Sequence, residues 1–448
     1  RMHLTLFQRR EHIGHQLLVR AAEHRDADQM HAFAMGCMGN DDIQTPNLDR
    51  LARDGILFRN TYSNAPVCTP FRATLVSGQY GSQTDTLRNS TYIPEGTRTL
   101  AAALNDGGYR TGWVGKWHLG ATGNIPIEPK FRADFTEFIG YQCYNDFLHG
   151  VKFYDEDGVE HVYDNHRTDV TTDIAIERLE RMKDDPFALF VSYQNPHYPE
   201  QPAWEYDRMY HGKTITRRPN AVDVDPYTKT ASPPAPKPQE NDPLYQRYGN
   251  DLDEYLRQYY AMVTQLDANI GRVLDALDRL GLAGNTAIIF PSDHGDMQGS
   301  HGLTNKGLPW EESSHIPLVA YVPNGAKGAV SDDLISGVDF YATCLDWAGC
   351  PPEPSCEGDS FASQALGNTK PMNRPIFSEM RPWCMVREGD YKLVADKDPW
   401  KLTHLFDLES DPYEMTNLLD NTTHTETQNH LSQLLKSWFN RVTTESNA

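Results

Sequence analysis

Residues 286–307 read TAIIFPSDHGDMQGSHGLTNKG. An apolar run ends at Pro291 and gives way at once to Asp293, His294 and a glycine-rich turn that reaches Lys306. A short apolar run bounded by turn residues predicts a strand buried on both faces. Further runs have the same form: TGWVG at 111–115, FALFVSY at 187–193 and PLVAYV at 317–322. Helical patterns alternate with them. TPNLDRLARDG at 45–55 has a threonine before a first-turn proline and a closing glycine, and DLDEYLRQYYAMVTQLDANIGRVLDALDRLG at 251–281 also closes on glycine. This rhythm predicts an α/β domain with a mainly parallel sheet.

After about residue 365 the character changes. PIFSEM, CMVREGDYKLVA and HLFDLESDP are short β-like runs, and LSQLLKSWFNRV is a final helical pattern. They predict a small antiparallel sheet with a helix on it, and so a large domain over 1–365 and a smaller one over 366–448. Residues 199–246, rich in proline and charge without periodicity, read as a surface insertion or a substrate-facing loop.

The bulk composition excludes several classes. A net charge of -21 argues against nucleic acid as the main partner, because phosphate contact needs a basic face. No run of roughly 18 apolar residues appears, so no membrane span is predicted. Seven cysteines are too few for a disulfide scaffold, although Cys344, Cys350 and Cys356 lie close enough for one local bridge. The opening RMHLTLFQRREHIGHQ shows no intact signal peptide, and a trimmed mature chain would look the same.

Chemistry concentrates where apolar runs end. Cys68-Thr69-Pro70-Phe71-Arg72 puts proline in a helical first turn, so Cys68 stands where backbone N–H groups favour negative charge. Taken alone, the pattern equally describes an inert cysteine in a helix cap. GGYRTGWVGKWHLG at 107–120 ends in Lys116 and His118, which share a side if the chain stays extended. FVSYQNPHYP at 190–199 arrives at His197, and a loop histidine is either surface decoration or a candidate general acid. Asp293 and His294 are ligand-like for a divalent cation, the alternative being an Asp that caps the next turn. In open α/β sheets ligands sit beyond the carboxyl ends of strands, which is where each of these groups falls.

The C-T-P-F-R pentapeptide followed by ATLVSG, the G-K-W-H segment, and the stretch ADQMHAFAMGCMGNDDIQTPNLDRLARDGILFRNTYSNAPVCTPFR at 27–72 resemble the formylglycine-dependent sulfatases of the alkaline phosphatase superfamily. The likeness extends over nearly the whole chain from residue 27, through PWEESSHIPLV and YKLVADKDPWKLTHLFDLESDPYEMTNL. It implies an alkaline-phosphatase-like α/β/α sandwich and the hydrolysis of a sulfate ester, of a carbohydrate or an aryl alcohol. It also implies that a formylglycine-generating enzyme oxidises Cys68 to formylglycine. A divalent metal is implied, calcium being favoured and manganese or magnesium compatible, held by Asp28, Gln29, Asp293 and His294 together with the converted Cys68; Asp26 is held in reserve. The roles implied are orientation of the aldehyde hydrate by Arg72, sulfate binding by Lys116, His197 and Lys306, leaving-group protonation by His197 with Lys306, and acceptance of the second hydroxyl's proton by His118. Location in a periplasm or outside the cell follows by analogy.

The chain departs from the family at three points. Phe71 stands where many members have serine, His294 where many have asparagine, and RAAEHRDA precedes Asp28 where an apolar strand is expected, the nearest apolar run being LLV at 17–19. Two rival readings are a phosphoesterase or phosphonate monoesterase of the same superfamily and an inactive protein that binds sulfated glycans.

Overall fold

A computed structural model describes residues 22–121, 123–226 and 251–444, and of 22–26 the backbone alone. The strands of the main sheet are β1 (Ala22–Asp26), β2 (Ile56–Tyr62), β3 (Arg110–Lys116), β4 (Glu137–Tyr141), β5 (Val151–Asp155), β6 (Glu160–Tyr163), β7 (Phe187–Ser192), β8 (Ala287–Pro291), β9 (His315–Ile316), β10 (Leu318–Tyr321) and β11 (Ala329–Ser336). Their order is β11-β2-β10-β8-β1-β7-β3-β4-β5-β6, with β9 beside β2. The central strands β8, β1, β7, β3 and β4 are parallel, and β10 and β5 run antiparallel to the two sides of this block.

Parallel strands with helices on both faces are buried twice over, which is why their sequences are continuous apolar runs rather than alternations. Val114, Leu189, Val191, Ile288 and Phe290 face one layer, packing with Leu48, Ile174 and Tyr259 of helices Pro46–Asp54, Arg167–Met182 and Leu252–Arg279. Their neighbours Trp113, Ala188, Phe190, Ala287 and Ile289 face the other, with Phe71 and Leu75 of helix Cys68–Ser77 and Phe340 of helix Asp339–Trp347. The result is an α/β/α sandwich whose parallel strands deliver their carboxyl ends to one edge.

The first strand departs from the apolar pattern. Residues 22–26, AEHRD, form the central strand β1 with no apolar run, directly before Asp28, while LLV at 17–19 lies outside the described residues. The ladder is a backbone matter: His24 pairs with Phe190 on one side and Ile289 on the other. The region 199–246 also differs from a plain loop, because Trp204–Tyr210 is a helix; residues 227–250 lie outside the description. Cys37, Cys68, Cys143, Cys350, Cys356 and Cys384 form no disulfide. Cys350 packs its sulfur against Gly107 and Cys356 against Gly78, so the expected local bridge is not made. No helix among the described residues is long and apolar enough to cross a membrane.

Four strands, β12 (Ile376–Glu379), β13 (Trp383–Glu388), β14 (Tyr391–Lys397) and β15 (Trp400–Asp407), form the antiparallel C-terminal sheet. Leu431, Leu435, Trp438 and Val442 of helix Thr425–Thr444 cover one face. Met385 and Val394 on the other pack with Tyr62 of β2 and Leu334 of β11. Lys392 of β14 is fully buried and donates to Glu311 Oε1 and the Pro309 carbonyl, each at 2.8 Å, and pairs with Glu414. Removing one partner of a buried ion pair leaves uncompensated charge, at a cost of about 3–5 kcal/mol. Lys392→Met is therefore expected to lower the urea midpoint clearly, with partial recovery when Glu311 and Glu414 both become Gln; an unchanged midpoint in the single variant would contradict this account.

Candidate active site

Cys68 opens helix Cys68–Ser77 and is almost wholly buried. Its sulfur is the point on which the other groups converge: His294 Nε2 at 3.3 Å, Lys306 Nζ at 3.4 Å, and Lys116 Nζ and Asp28 Oδ1 at 3.6 Å. Burial alone would raise the thiol's pKa, but the Lys116 and Lys306 ammonium groups outweigh it and hold Cys68 well below the usual thiol range.

The sheet supplies most of these groups from its carboxyl edge. Asp28 follows β1 by two residues, and its amide donates to the Asn195 carbonyl at 3.2 Å in the loop after β7. Lys116 ends β3 and pairs with Asp28 Oδ2, both side chains being fully buried. Asp293 and His294 follow β8. Arg72, one turn into the helix, donates to the Lys116 carbonyl at 3.0 Å, to the Ser192 hydroxyl at the end of β7, and to Asp293 Oδ2 at 3.4 Å. The guanidinium thus ties three strand ends to the helix that carries Cys68.

His118 reaches the cluster by a different route from strand alternation. Its φ is 49°, so the chain turns out of β3 instead of continuing extended, and Thr69 of the Cys68 helix donates to its carbonyl at 2.6 Å. Burial lowers the pKa of its ring, but Cys143 and Cys68 alongside raise it above the ordinary value. His197 lies in the loop after β7, half-buried; its Nδ1 is bonded to the Tyr198 carbonyl, and its ring also interacts with Cys68. Burial, with Lys306 and Lys116 nearby, pushes it down to about 4. Gln29, at φ 70°, is held by its own N–H to Asp293 Oδ1 at 3.1 Å, and its Oε1 accepts from Lys306 at 2.8 Å.

Four ligand-type atoms, from Asp28, Cys68, Asp293 and His294, lie within 4.8 Å of one another in full burial. His294 Nδ1 faces the Gly295 carbonyl at 3.0 Å and so carries the proton, turning the Nε2 lone pair toward Asp28 Oδ1 and Asp293 Oδ1 at 3.5 and 3.4 Å. Lone pairs facing one another in a dry pocket repel unless a cation lies between them. Consistent with that, burial and the charge of Asp28 raise Asp293 to about 7, while Lys116, His197 and Lys306 hold Asp28 below the usual carboxylate range against its own burial. Two carboxylates and an imidazole fit a divalent cation.

Comparisons with known proteins give the family. A family model described as Sulfatase matches residues 27–350, and one described as N-sulphoglucosamine sulphohydrolase, C-terminal, matches residues 299–441. The chain belongs to the sulfatase family. An ulvan-active sulfatase of Formosa agariphila is 30% identical, the match covering 91% of this chain and 78% of that protein. An N-acetylglucosamine-6-O-sulfatase of Bacteroides thetaiotaomicron is 29% identical over 90% of this chain and 83% of its own. A solved structure in complex with its substrate D-glucosamine-2-N,6-O-disulfate superposes with a TM-score of 0.81 at 23% identity, covering 94% of this chain and 97% of that one, and so shares the fold. The protein is thus a sulfuric ester hydrolase.

Other residues stand around the cluster that sequence patterns do not mark. Cys143, in the segment after β4, lies beside His118 and Lys116. Another group of metal-ligand type, His301, Glu312 and Glu414, is already bridged by the Asn220 amide, whose nitrogen lies 3.2 Å from His301 Nε2 and 2.9 Å from Glu312 Oε1. Arg167, wholly buried at the start of helix Arg167–Met182, is caged by the rings of Tyr141, Tyr144 and Phe147 at 4.7, 3.9 and 5.0 Å. It donates to the Tyr144 carbonyl at 2.6 Å, to the Asp146 carbonyl, and to Gln194 Oε1 at 2.5 Å. Gln194 accepts the His197 amide at its carbonyl, and the next residue, Asn195, accepts that of Asp28. One guanidinium therefore ties the segment after β4 to the loop after β7. Since small misplacement of reacting groups can cost about 100-fold, Arg167→Ala is expected to lower kcat/KM by about that factor, and Arg167→Lys by nearly as much because the planar fork is lost. A Lys variant with wild-type kinetics would contradict this role.

Proposed function

We propose that this sulfatase hydrolyses a sulfate ester of a carbohydrate through a formylglycine nucleophile formed from Cys68, with a divalent cation, calcium in the first instance, held by Asp28, Gln29, Asp293 and His294. The observation that carries the reading is the convergence of Lys116, Lys306, His294 and Asp28 on the Cys68 sulfur at the start of a helix. The sulfur marks where an oxygen of the aldehyde hydrate would stand. The bound cation would supply Lewis-acid polarisation and offset the charge of the nucleophile. The carbohydrate class is supported by the ulvan-active and N-acetylglucosamine-6-O-sulfatase relatives. By family analogy, maturation falls to a formylglycine-generating enzyme and the location is periplasmic or extracellular.

The chain's own residues divide the work as follows. Arg72, anchored on Ser192 and Asp293, orients the hydrate. The ammonium groups of Lys116 and Lys306 bind sulfate oxygens and stabilise the charge that develops as the S–O bond to the alcohol breaks. The proton for the departing alkoxide comes from the Lys306 ammonium, relayed through His197 Nε2, which carries a lone pair because Nδ1–H is bonded to the Tyr198 carbonyl. His118 takes the proton of the second hydroxyl, so that sulfate is expelled and the aldehyde returns. A single hydroxyl or thiol at this position has no second hydroxyl to do this, which is the physical reason for the modification.

Mass spectrometry of the Cys68 peptide, from protein made with an active formylglycine-generating enzyme, is expected to give the aldehyde in place of the thiol. Intact thiol throughout would overturn the nucleophile. Paired nitrophenyl sulfate and phosphate esters are expected to show preference for sulfate, and the reverse preference would favour the phosphoesterase reading. Lys306→Ala is expected to lower turnover of the folded enzyme by about 100- to 1,000-fold; near-normal turnover would remove Lys306 from the mechanism.

A further inference from the structure

We propose that Asp296 is a positioning residue that fixes which end of the Gln29 side-chain amide faces the reaction centre. Asp296 is wholly buried, three residues beyond Asp293. Its Oδ1 accepts the Gln298 amide at 3.0 Å, and its Oδ2 accepts the Tyr255 hydroxyl at 3.1 Å and Gln29 Nε2. An amide side chain is nearly symmetric in shape, and only its neighbours decide whether oxygen or nitrogen points a given way. A carboxylate accepts and cannot donate, so the Gln29 NH2 must face Asp296. The oxygen is then directed to Lys306 Nζ, 2.8 Å away, and through it toward Cys68.

The reversed amide would set oxygen against the Asp296 carboxylate and NH2 against the Lys306 ammonium, two repulsive contacts in place of two charge-assisted bonds. The rest of Gln29 is equally constrained. Its N–H is held by Asp293, its carbonyl accepts from Tyr259 at 2.8 Å, and its backbone is left-handed. Only the amide rotation remains to be set, and Asp296 sets it. The consequence rests on the reading above that Gln29 is a cation ligand: a hard divalent ion takes the amide oxygen and is repelled by the NH2 group. Outer partners of this kind typically govern metal affinity by about 10- to 100-fold.

The test is a double-mutant cycle read by calorimetric titration of Ca2+ into the purified, metal-stripped full chain. Asp296→Asn keeps size and shape but can present either a donor or an acceptor, so Gln29 loses its enforced direction. In the wild-type background this change is expected to weaken Ca2+ binding by about 10- to 100-fold. In a Gln29→Ala background it is expected to weaken binding no further. Equal affinity of wild type and Asp296→Asn, or a full additional loss in the Gln29→Ala background, would overturn the inference while leaving the cation site standing. No Ca2+ binding by the wild type, with Mn2+ and Mg2+ also failing, would overturn the cation reading and this inference with it. Should Asp296→Asn fail to fold, Asp296→Ser also removes the acceptor-only partner of Gln29 and is expected to give a loss of the same order in the same cycle; no loss would count against the proposal.

Discussion

Two buried carboxylates, Asp28 beyond β1 and Asp293 beyond β8, are the constraint on which the site depends. Each belongs to a strand end, and β1 and β8 are neighbours, so the fold itself forces the pair together. Like charges in a dry pocket are costly unless they are matched. The protein answers with Lys116 on Asp28 and Arg72 on Asp293, and with the lone pair of His294 turned to where a cation would complete the balance. The same cations that steady the carboxylates stand beside Cys68. Stability and chemistry are therefore served by one arrangement, in which the charges that allow the pocket to exist also suit it to an anionic ester.

The helix that begins at Cys68 is locked to this pocket from within. Arg72 lies a turn further on and is bonded to β3, β7 and the loop after β8, so the helix cannot shift without breaking bonds to three strand ends. Thr69 adds a bond to the carbonyl of His118. A reactive group at a helix start gains from the exposed N–H groups only if the helix holds still. Here the spacing of four residues between Cys68 and Arg72 places the cysteine and its anchor on one face of the helix, which is the physical content of the C-x-P-x-R pattern.

The sandwich was legible in the sequence where side chains decide it. The runs at 111–115, 187–193 and 286–291 became β3, β7 and β8, because burial on both faces demands continuous apolar residues. The central strand β1 was not legible as a strand, since AEHRD carries no such signal and its place comes from backbone pairing on both sides. His118 was found by its residue type, but the argument from alternation does not describe how it gets there, because a left-handed residue turns the chain. Arg167, Asp296 and Cys143 had no local signature. Arg167 and Gln194 are 27 residues apart and Asp296 and Gln29 are 267 apart, separations over which period and spacing carry no information.

The net charge of -21 and a site built for an anion are compatible because they act over different distances. Exposed acidic groups are screened beyond about 10 Å at ordinary ionic strength, whereas buried groups are screened much less. Lys116 is fully buried, Lys306 half-buried, and both point at the same sulfur from within 3.6 Å. An incoming sulfate therefore meets a weak, screened repulsion on approach and a strong, unscreened attraction once inside the pocket. Because the attraction operates only at contact, general electrostatic steering contributes little to recognition. The segments that Arg167 joins, around Tyr144 and Gln194, reach this pocket through Asn195, whose carbonyl accepts the Asp28 amide.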